Sequence, residues 1–354
     1  MVNIKPIASV ALISAVALAF SGCASEGGAA GKTLTGSGAS SQAAAQAAWT
    51  AAFQTANQGV TVNYSAEGSG AGRSAFTAGA ADFAGSDRPL KDEEMGAGKF
   101  AGCAADSNAL NLPVYISPIA VVFNVDGVTA LQFSPDTLAK IFAGQIKSWD
   151  DPAIAKDNPD AKLPAGLAIT AVHRSDDSGT TNNFTDTLNK LAPSVWTEAA
   201  SDTFPAAFGG EAADKTAGVI NAVTNGKGTI GYADASAAGS LGKASILVGG
   251  KPLQPTPEAA ASILEHSKTV TGRAANDLAF SLDRTSEGVY PAVLVSYAIV
   301  CQTYKDASRA SLVKSYVGYI ASADGQSAAA KAAGSAPLPA SIQEKVKAAV
   351  DSIK

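Results

Sequence analysis

The chain has 354 residues, 46% of them hydrophobic, and a formal net charge of −5. This length supplies a sizeable hydrophobic core and suggests two domains. The acidic balance argues against a nucleic-acid-binding surface, so an anionic ligand would have to be held by local donors rather than by the charge of the whole molecule.

The first residues have the pattern of an export signal. An apolar run at residues 7–20 is too short to span a bilayer comfortably and is typical of a secretory signal peptide. Cys23 follows two small residues and resembles the lipidated cysteine of a bacterial lipobox, with Phe20 where most lipoboxes have Leu. We expect a signal peptide at residues 1–22, lipidation of Cys23 and a flexible tether at residues 23–32. The alternative is an ordinary signal peptide cleaved nearby, which would leave Cys23 as a thiol.

Two further cysteines, Cys103 and Cys301, remain after Cys23 is set aside. In an oxidising, exported setting a remainder of two cysteines suggests one disulfide. Such a bridge would add about 2–4 kcal/mol of stability. Two buried free thiols are the alternative.

From residue 33 onward, strand-like and helix-like segments alternate, as in an α/β protein. The predicted strands lie at residues 33–35, 60–64, 82–86, 167–172, 228–232 and 244–248. The predicted helices lie around residues 45–53, 73–78, 135–141, 178–191, 310–320 and 342–353. A loop rich in Pro and Asp is predicted at residues 150–163.

Two long apolar runs, at residues 112–125 and 290–300, are long enough to pass between two lobes. They suggest a discontinuous first lobe of residues 33–112 and 296–354 and a second lobe of residues 113–295. Both cysteines of the predicted disulfide would then lie beside the crossings in the first lobe, where the bridge would pin the hinge.

Three loops share one pattern: each follows a predicted strand, contains Gly with Ser or Thr, and opens a predicted helix. They contain Ser40-Ser41, Ser69-Gly70 and Ser178-Gly179-Thr180. Backbone N–H groups at a helix start lack internal partners and carry partial positive charge, so they bind anions. Such loops gather at the carboxyl ends of the strands, and Arg174 adds a donor fork that fits a tetrahedral oxyanion. The pattern predicts a phosphate site, although one such turn alone is most often only a helix cap.

Four segments carry a specific resemblance. They are residues 34–40 (LTGSGAS), 82–87 (DFAGSD), 141–152 (IFAGQIKSWDDP) and 174–180 (RSDDSGT). Through them the chain resembles, over nearly its whole mature length, the phosphate-binding proteins of phosphate-specific ABC transporters (PstS-type). The resemblance implies a two-lobed α/β fold of the periplasmic-binding-protein type (type II), with two hinge crossings and a cleft that buries dehydrated phosphate. It also implies an ABC permease as partner and, with lipidation, attachment to the outer face of the cell membrane.

The resemblance further implies a ligand set and a role for each member. The implied phosphate ligands are Ser40, Ser41, Ser69, Asp87, Arg174, Ser178, Gly179 and Thr180, with Asp176 restraining the arginine. The family often has Phe at position 41, so only the backbone N–H is implied for Ser41. An ionised Asp87 would accept a hydrogen bond from the proton that phosphate carries and sulfate lacks, and its charge would disfavour sulfate by several kcal/mol. From the residues alone, the preferred interpretation of Asp87 is a turn residue capped by its own backbone, and Arg174 is a plain salt-bridge partner of Asp176.

The sequence pattern gives no support to catalytic or metal chemistry. His173 and His266 are the two histidines, and neither belongs to a cluster with metal-ligand spacing. The P-loop, dinucleotide-binding and Gly-x-Ser-x-Gly patterns are absent from the sequence. We therefore expect a binding protein without catalytic residues, metal or cofactor, and tryptophans that anchor the core. The alternatives are a binder of sulfate or molybdate, a secreted phosphatase-like enzyme, and a surface adhesin with incidental phosphate binding.

Overall fold

The computed structural model describes residues 32–354, so the predicted signal peptide, most of the tether and Cys23 lie outside the described residues. The strands are β1 (Thr33–Gly38), β2 (Thr61–Ser65), β3 (Phe83–Ser86), β4 (Ala109–Asn124), β5 (Gln132–Phe133), β6 (Thr170–Arg174), β7 (Glu211–Ala213), β8 (Thr229–Asp234), β9 (Gly242–Val248), β10 (Lys251–Leu253), β11 (Lys268–Thr269), β12 (Phe280–Ser281) and β13 (Val293–Cys301). The helices are α1 (Ala43–Ala56), α2 (Ser69–Thr77), α3 (Pro135–Phe142), α4 (Pro152–Asp157), α5 (Gly179–Leu191), α6 (Lys215–Asn225), α7 (Pro257–Ala261), α8 (Ile263–His266), α9 (Ala307–Ala321), α10 (Ala323–Ala333) and α11 (Ala340–Asp351). Among the described residues, every helix is too short or too polar to cross a membrane.

Two long buried strands, β4 and β13, hold the molecule together. β4 pairs with β13 over residues 109–118 and with β8 over residues 119–124. β13 also pairs with β3, which gives the strand order β2-β1-β3-β13-β4-β8-β6-β7. We call β1–β3, β13 and the start of β4 the first half-sheet, and β5–β10 with the end of β4 the second half-sheet. The predicted run at residues 112–125 forms most of β4, which pairs in both half-sheets, and the run at residues 290–300 brings the chain back into the first half-sheet as β13.

Parallel pairing aligns the strand ends within each half-sheet. β1 runs parallel to β2 and β3, and β6 runs parallel to β7 and β8. The carboxyl ends of parallel strands meet at one edge of a sheet. The loops that follow β1, β2, β3 and β6 contain the predicted anion ligands, so the fold assembles them at such edges.

Large aromatic side chains anchor both lobes. Trp49, Trp149 and Trp196 are fully buried, as the sequence analysis predicts. The indole N–H of Trp49 donates to Gly325 O at 2.7 Å, and that of Trp149 donates to Gly228 O at 3.0 Å. These hydrogen bonds satisfy the polar end of a side chain that is otherwise packed among apolar groups.

Cys103 and Cys301, 198 positions apart in sequence, form the predicted disulfide, with their Cα atoms 5.3 Å apart. The alternative of two free thiols is therefore wrong. Cys103 precedes β4 and Cys301 ends β13, so the bridge ties the two strands together within the first half-sheet.

Several helices, among them α4, α6 and α10, differ from the sequence-based expectation. The predicted loop at residues 150–163 contains α4, because Asp151 accepts a hydrogen bond from the N–H of Ala153 and Pro152 occupies the first turn. The same Pro and Asp that suggest a loop are here a helix start. Helices α6 and α10 are also absent from the prediction, since α10 is mostly alanine and offers no clear apolar stripe.

Candidate anion-binding site

The carboxylate of Asp87 lies at the centre of the site, directly after β3, and its residue is only 2% exposed. Its Oδ1 accepts hydrogen bonds from the hydroxyls of Ser41 at 2.6 Å and Ser296 at 2.7 Å. Its Oδ2 accepts a hydrogen bond from the hydroxyl of Thr180 at 2.9 Å. A carboxylate has about four lone-pair positions, so these donors leave room on Oδ2 for one more hydrogen bond.

The start of α5 packs directly against the first half-sheet. Ser69 begins α2, and its Oγ accepts a hydrogen bond from the N–H of Asp87 at 3.1 Å. A Cβ built on Gly179 would lie 2.7 Å from Ser69 Oγ and 2.8 Å from Asp87 Cβ. Any larger residue at position 179 would push the two halves apart, so glycine is required by close approach rather than by the cap alone.

The first turn of α5 supplies donors beside Asp87. Ser178 is its N-cap: its Oγ accepts from the N–H of Thr181 at 3.1 Å, and its backbone O accepts from the N–H of Asn182. The N–H groups of Gly179 and Thr180 precede these intrahelical bonds. Unsatisfied N–H groups and the helix dipole make this end of α5 favourable for negative charge. The capped helix start can therefore hold an anion that also contacts Asp87.

Arg174 ends β6 and is held by Asp176. Its Nε donates to Asp176 Oδ1 at 2.6 Å and its Nη2 donates to Oδ2 at 2.5 Å. Burial alone would raise the pKa of Asp176, but the hydrogen bonds and charge of Arg174 outweigh burial and lower it. The paired edge of the guanidinium is fixed in place, which leaves its remaining donors rigidly oriented.

The Arg174–Asp176 pair also touches the first half-sheet. Gly68, the residue before Ser69, has φ +100°, and a Cβ there would lie 2.4 Å from Asp176 Oδ2. The N–H of Lys215 donates to Asp176 Oδ1 at 3.1 Å. The ion pair thus lies against Gly68, the residue before Ser69, and is hydrogen-bonded to the start of α6.

Ser40 differs from the other predicted ligands in its partner. Its Oγ lies 3.0 Å from Thr216 Oγ1 and accepts a hydrogen bond from the N–H of Thr216 at 3.2 Å. The Ser40 hydroxyl thus binds the start of α6 and not Asp87. The structure brings Ser41, Ser69, Asp87, Gly179 and Thr180 into direct contact, with Ser178, Arg174, Asp176 and Ser40 around them.

Two functional contacts were missed by the sequence analysis. Ser296 lies on β13, donates to Asp87, and accepts a hydrogen bond from Gln42 Nε2 at 2.6 Å. Tyr232 OH lies 2.8 Å from Thr181 Oγ1 and accepts from the N–H of Arg174 at 3.3 Å. A small polar residue in the middle of an apolar crossing run was the available signal for Ser296.

A second buried carboxylate, Asp234, ends β8 and has no exposed surface. Tyr115 OH donates to its two oxygens at 3.2 and 3.1 Å, and the N–H of Ser236 donates at 2.9 Å. Burial raises the pKa of Asp234 to about 6, and the negative charge of Asp87 acts in the same direction. Asp87 and Asp234 are thus two buried acids with different hydrogen-bonding partners.

His173 lies beside the site without a hydrogen bond to Asp87. His173 stacks on Phe204 with ring centres 4.3 Å apart, and its Nδ1 lies 3.0 Å from Arg174 O. Within residues 32–354, no group of three or more His, Cys, Asp or Glu side chains is placed to hold a metal ion.

Comparison with known proteins identifies the family. A family model described as the PBP superfamily domain matches residues 24–324. The chain is 36% identical to phosphate-binding protein PstS 3 of Mycobacterium tuberculosis over 98% of both chains. It is 39% identical to phosphate-binding protein PstS 3 of Mycobacterium leprae over 80% of this chain and 78% of the relative. The chain belongs to the PstS-type phosphate-binding proteins.

Solved structures share the fold of this PstS-type chain. A high affinity periplasmic phosphate-binding protein (PfluDING) bound with phosphate has a TM-score of 0.70 at 24% identity, covering 89% of this chain and 93% of its own. A phosphate-binding protein from Stenotrophomonas maltophilia has a TM-score of 0.70 at 20% identity, with the same coverage. These likenesses confirm the predicted two-lobed α/β binding-protein fold.

Proposed function

We propose that this PstS-type protein captures inorganic phosphate outside the cytoplasm and delivers it to an ABC permease. The observation that carries the proposal is the buried carboxylate of Asp87, which receives hydroxyl hydrogen bonds from both half-sheets beside the start of α5. A purely structural carboxylate would not need to lie against a helix start in a cleft between lobes.

The proposed ligands form a nest of donors around one acceptor. They are Ser40, Ser41, Ser69, Asp87, Arg174, Ser178, Gly179 and Thr180, with Asp176 orienting Arg174. The hydroxyl groups rotate, so those that donate to Asp87 can turn toward a bound oxyanion. The helix start and the guanidinium offset its charge without requiring a basic protein surface.

Specificity follows from the one acceptor. Phosphate at neutral pH carries at least one proton, so it has a hydroxyl group that can donate a hydrogen bond to Asp87. Sulfate carries none, so its oxygen would face an ionised carboxylate with no hydrogen between them. This unpaired contact between like charges, in a buried site, costs several kcal/mol.

The lobes are the moving parts of the proposed function. We assign residues 33–112 and 296–354 to the first lobe and residues 113–295 to the second. Near the first boundary, β4 changes its pairing partner from β13 to β8 between residues 118 and 119. The two lobes separate at the Asp87–Thr180 contact and bend at the crossing strands, which admits the anion and then encloses it.

Calorimetric titration of the phosphate-free protein with phosphate and with sulfate tests the binding function. The expected result is one phosphate per chain and no measurable sulfate binding at the same concentrations. Equal binding of the two anions, or binding of neither, would contradict the proposal.

The same loops could instead serve hydrolysis, and a chromogenic phosphomonoester separates the two functions. The relatives are named as phosphate-binding proteins, so the expected result is no turnover. Turnover by the parent protein that disappears in Ser178→Ala, while the variant remains folded, would make the protein an enzyme.

The proposed anchor is the lipidated Cys23, which would hold the binding protein beside its permease. Expression of the parent and of Cys23→Ser, followed by membrane fractionation and mass spectrometry of the mature N-terminus, tests it. We expect a diacylated cysteine and membrane association in the parent, and a released protein in the variant. An unmodified cysteine in the parent would leave export without anchoring.

A further inference from the structure

A second contact joins the two half-sheets outside the proposed ligand nest. Asp202 lies between α5 and β7, whereas Arg73 is on α2 and Arg88 follows β3. Arg88 Nε donates to both oxygens of Asp202 at 2.9 Å, and its Nη2 donates to Oδ2 at 2.8 Å. Arg73 Nη2 donates to the same Oδ2. One carboxylate from the second half-sheet side thus engages two guanidinium groups from the first.

These charges are withdrawn from water. Arg73 is 5% and Arg88 7% exposed, and the Asp202 side chain is 13% exposed. Glu94 binds the other edge of Arg88 at 2.6 and 2.9 Å and belongs to the same side of the molecule as the arginines. Separation of the lobes would leave two cations with Glu94 as their nearest anion in this cluster. Charge-assisted hydrogen bonds are stronger where water is excluded, and opening would break those between Asp202 and both guanidinium groups, so the contact favours the closed lobes.

The charge cluster is connected to both ligand loops, to one through the backbone of Asp202 and to the other through the side chains of Arg73 and Ser86. The N–H of Ser178, the N-cap of α5, donates to Asp202 O at 2.9 Å. On the other side, Arg73 Nη1 donates to Ser86 Oγ at 2.9 Å, and Ser86 Oγ donates to Arg88 O at 2.7 Å. Asp87 lies between those two residues. Asp202 therefore holds the helix start with its backbone and the Asp87 strand end with its side chain.

We propose that Asp202 is a positioning residue for phosphate retention: through Arg73 and Arg88 it holds the cleft closed and sets how slowly the anion leaves. This inference rests on the proposed phosphate-binding function. Asp202 need not touch the anion, since it acts on the two loops that do. Loss of the Asp202 carboxylate shortens the lifetime of the closed state. It leaves the rate at which phosphate associates with the open cleft nearly unchanged.

A second ion pair across the same gap provides a matched control. Lys215 Nζ donates to Glu67 Oε2 at 2.7 Å, but their side chains are 32% and 54% exposed. Exposed ion pairs contribute about 0–1 kcal/mol, because water and salt compete for the charges. Glu67→Gln thus removes one exposed charge across the same gap and leaves the buried charge cluster intact.

The test measures phosphate association and dissociation rates by stopped flow on the mature chain with a fluorescent reporter of closure. Asp202→Asn keeps the shape and removes the charge, and we expect dissociation to be at least 10-fold faster with association within 3-fold of the parent. We expect Glu67→Gln to change both rates less than 2-fold. Arg73→Lys, which keeps the charge but loses the planar fork, is expected to give an intermediate dissociation rate and applies even if Asp202→Asn folds poorly.

Unchanged dissociation in Asp202→Asn, or an affinity loss that arises only from slower association, would overturn the inference. Equal effects of Asp202→Asn and Glu67→Gln would also overturn it. Failure of the parent to bind phosphate would instead refute the proposed function, so the two failures are distinguishable.

Discussion

Thr180 Oγ1 donates a hydrogen bond to Asp87 Oδ2 at 2.9 Å, and this contact links residues 93 positions apart in the two half-sheets. Ser41 and Ser296 reach the other oxygen of the same carboxylate from the first half-sheet side. Opening of the lobes would therefore remove Thr180 from Asp87 and leave both serines in place. The hydrogen bonding of Asp87 depends directly on closure of the cleft.

Asp87→Asn should weaken discrimination between phosphate and sulfate. The amide removes the like-charge repulsion against sulfate and offers an N–H donor to it, whereas phosphate loses the acceptor for its proton. We expect the ratio of the two dissociation constants to fall roughly 10-fold or more, as measured by calorimetry. Asp126→Asn, at an exposed turn, is the control and should leave the ratio unchanged. An unaltered ratio in Asp87→Asn would show that another group selects the anion.

Gly179→Ala should weaken phosphate binding because its Cβ meets Ser69 Oγ at 2.7 Å and Asp87 Cβ at 2.8 Å. Overpacking of this kind costs about 1–3 kcal/mol, which corresponds to roughly 5- to 150-fold in affinity. The matched control is Gly102→Ala, where nothing lies within 4 Å of a built Cβ. Parent-like affinity in Gly179→Ala would mean that the two halves need not approach so closely when phosphate is bound.

Asp234→Asn should stabilise the protein near neutral pH. Burial raises the pKa of this carboxyl from 3.8 to about 6, so the folded protein holds the proton more tightly than the unfolded chain. The resulting stabilisation is present below pH 3.8 and is lost as the pH rises through 6. The Asp234→Asn variant has no carboxyl group at this position, so its stability does not fall in this way as the pH rises. Urea unfolding at several pH values should show its advantage over the parent growing by at most about 3 kcal/mol between acid and neutral pH. An advantage that does not depend on pH would contradict this assignment.

Loss of the Cys103–Cys301 disulfide should lower the free energy of unfolding by about 2–4 kcal/mol. Phosphate affinity should change little, because Cys301 pairs with Ala109 at one end of the β4–β13 ladder and Ser296 lies further along β13. Denaturant unfolding of the parent with and without reductant measures the effect. The double variant Cys103→Ser/Cys301→Ser is the control and should be insensitive to reductant.

Much of the fold could be predicted from local pattern. The strand ends, the Gly/Ser loops and the capping residue Ser178 are properties of neighbouring residues, and α5 begins where these signals place it. The long apolar runs could be interpreted because β4 is buried along nearly its whole length, which leaves little polar alternation. The ligand set itself came from family resemblance and stays a prediction; five of its members, Ser41, Ser69, Asp87, Gly179 and Thr180, are in contact in the structure.

The contacts that were not predicted join distant parts of the chain. Ser296 and Asp87 are 209 positions apart, and Arg88 and Asp202 are 114 apart. Local periodicity contains no information on which loops meet across a cleft. The burial of Arg73 and Arg88 was missed for the same reason, since an isolated Arg is ordinarily exposed.

The position of β13 between β3 and β4 governs the order in which the sheet can be completed as the chain emerges, N-terminus first, from the ribosome. The second half-sheet uses residues 119–253 and can pair once that segment has emerged. The first half-sheet has a gap between β3 and β4 until Val293–Cys301 arrives. The N-terminal strands are thus among the first segments delivered and the last to be completed, and their unpaired edges must be kept from aggregating in the meantime.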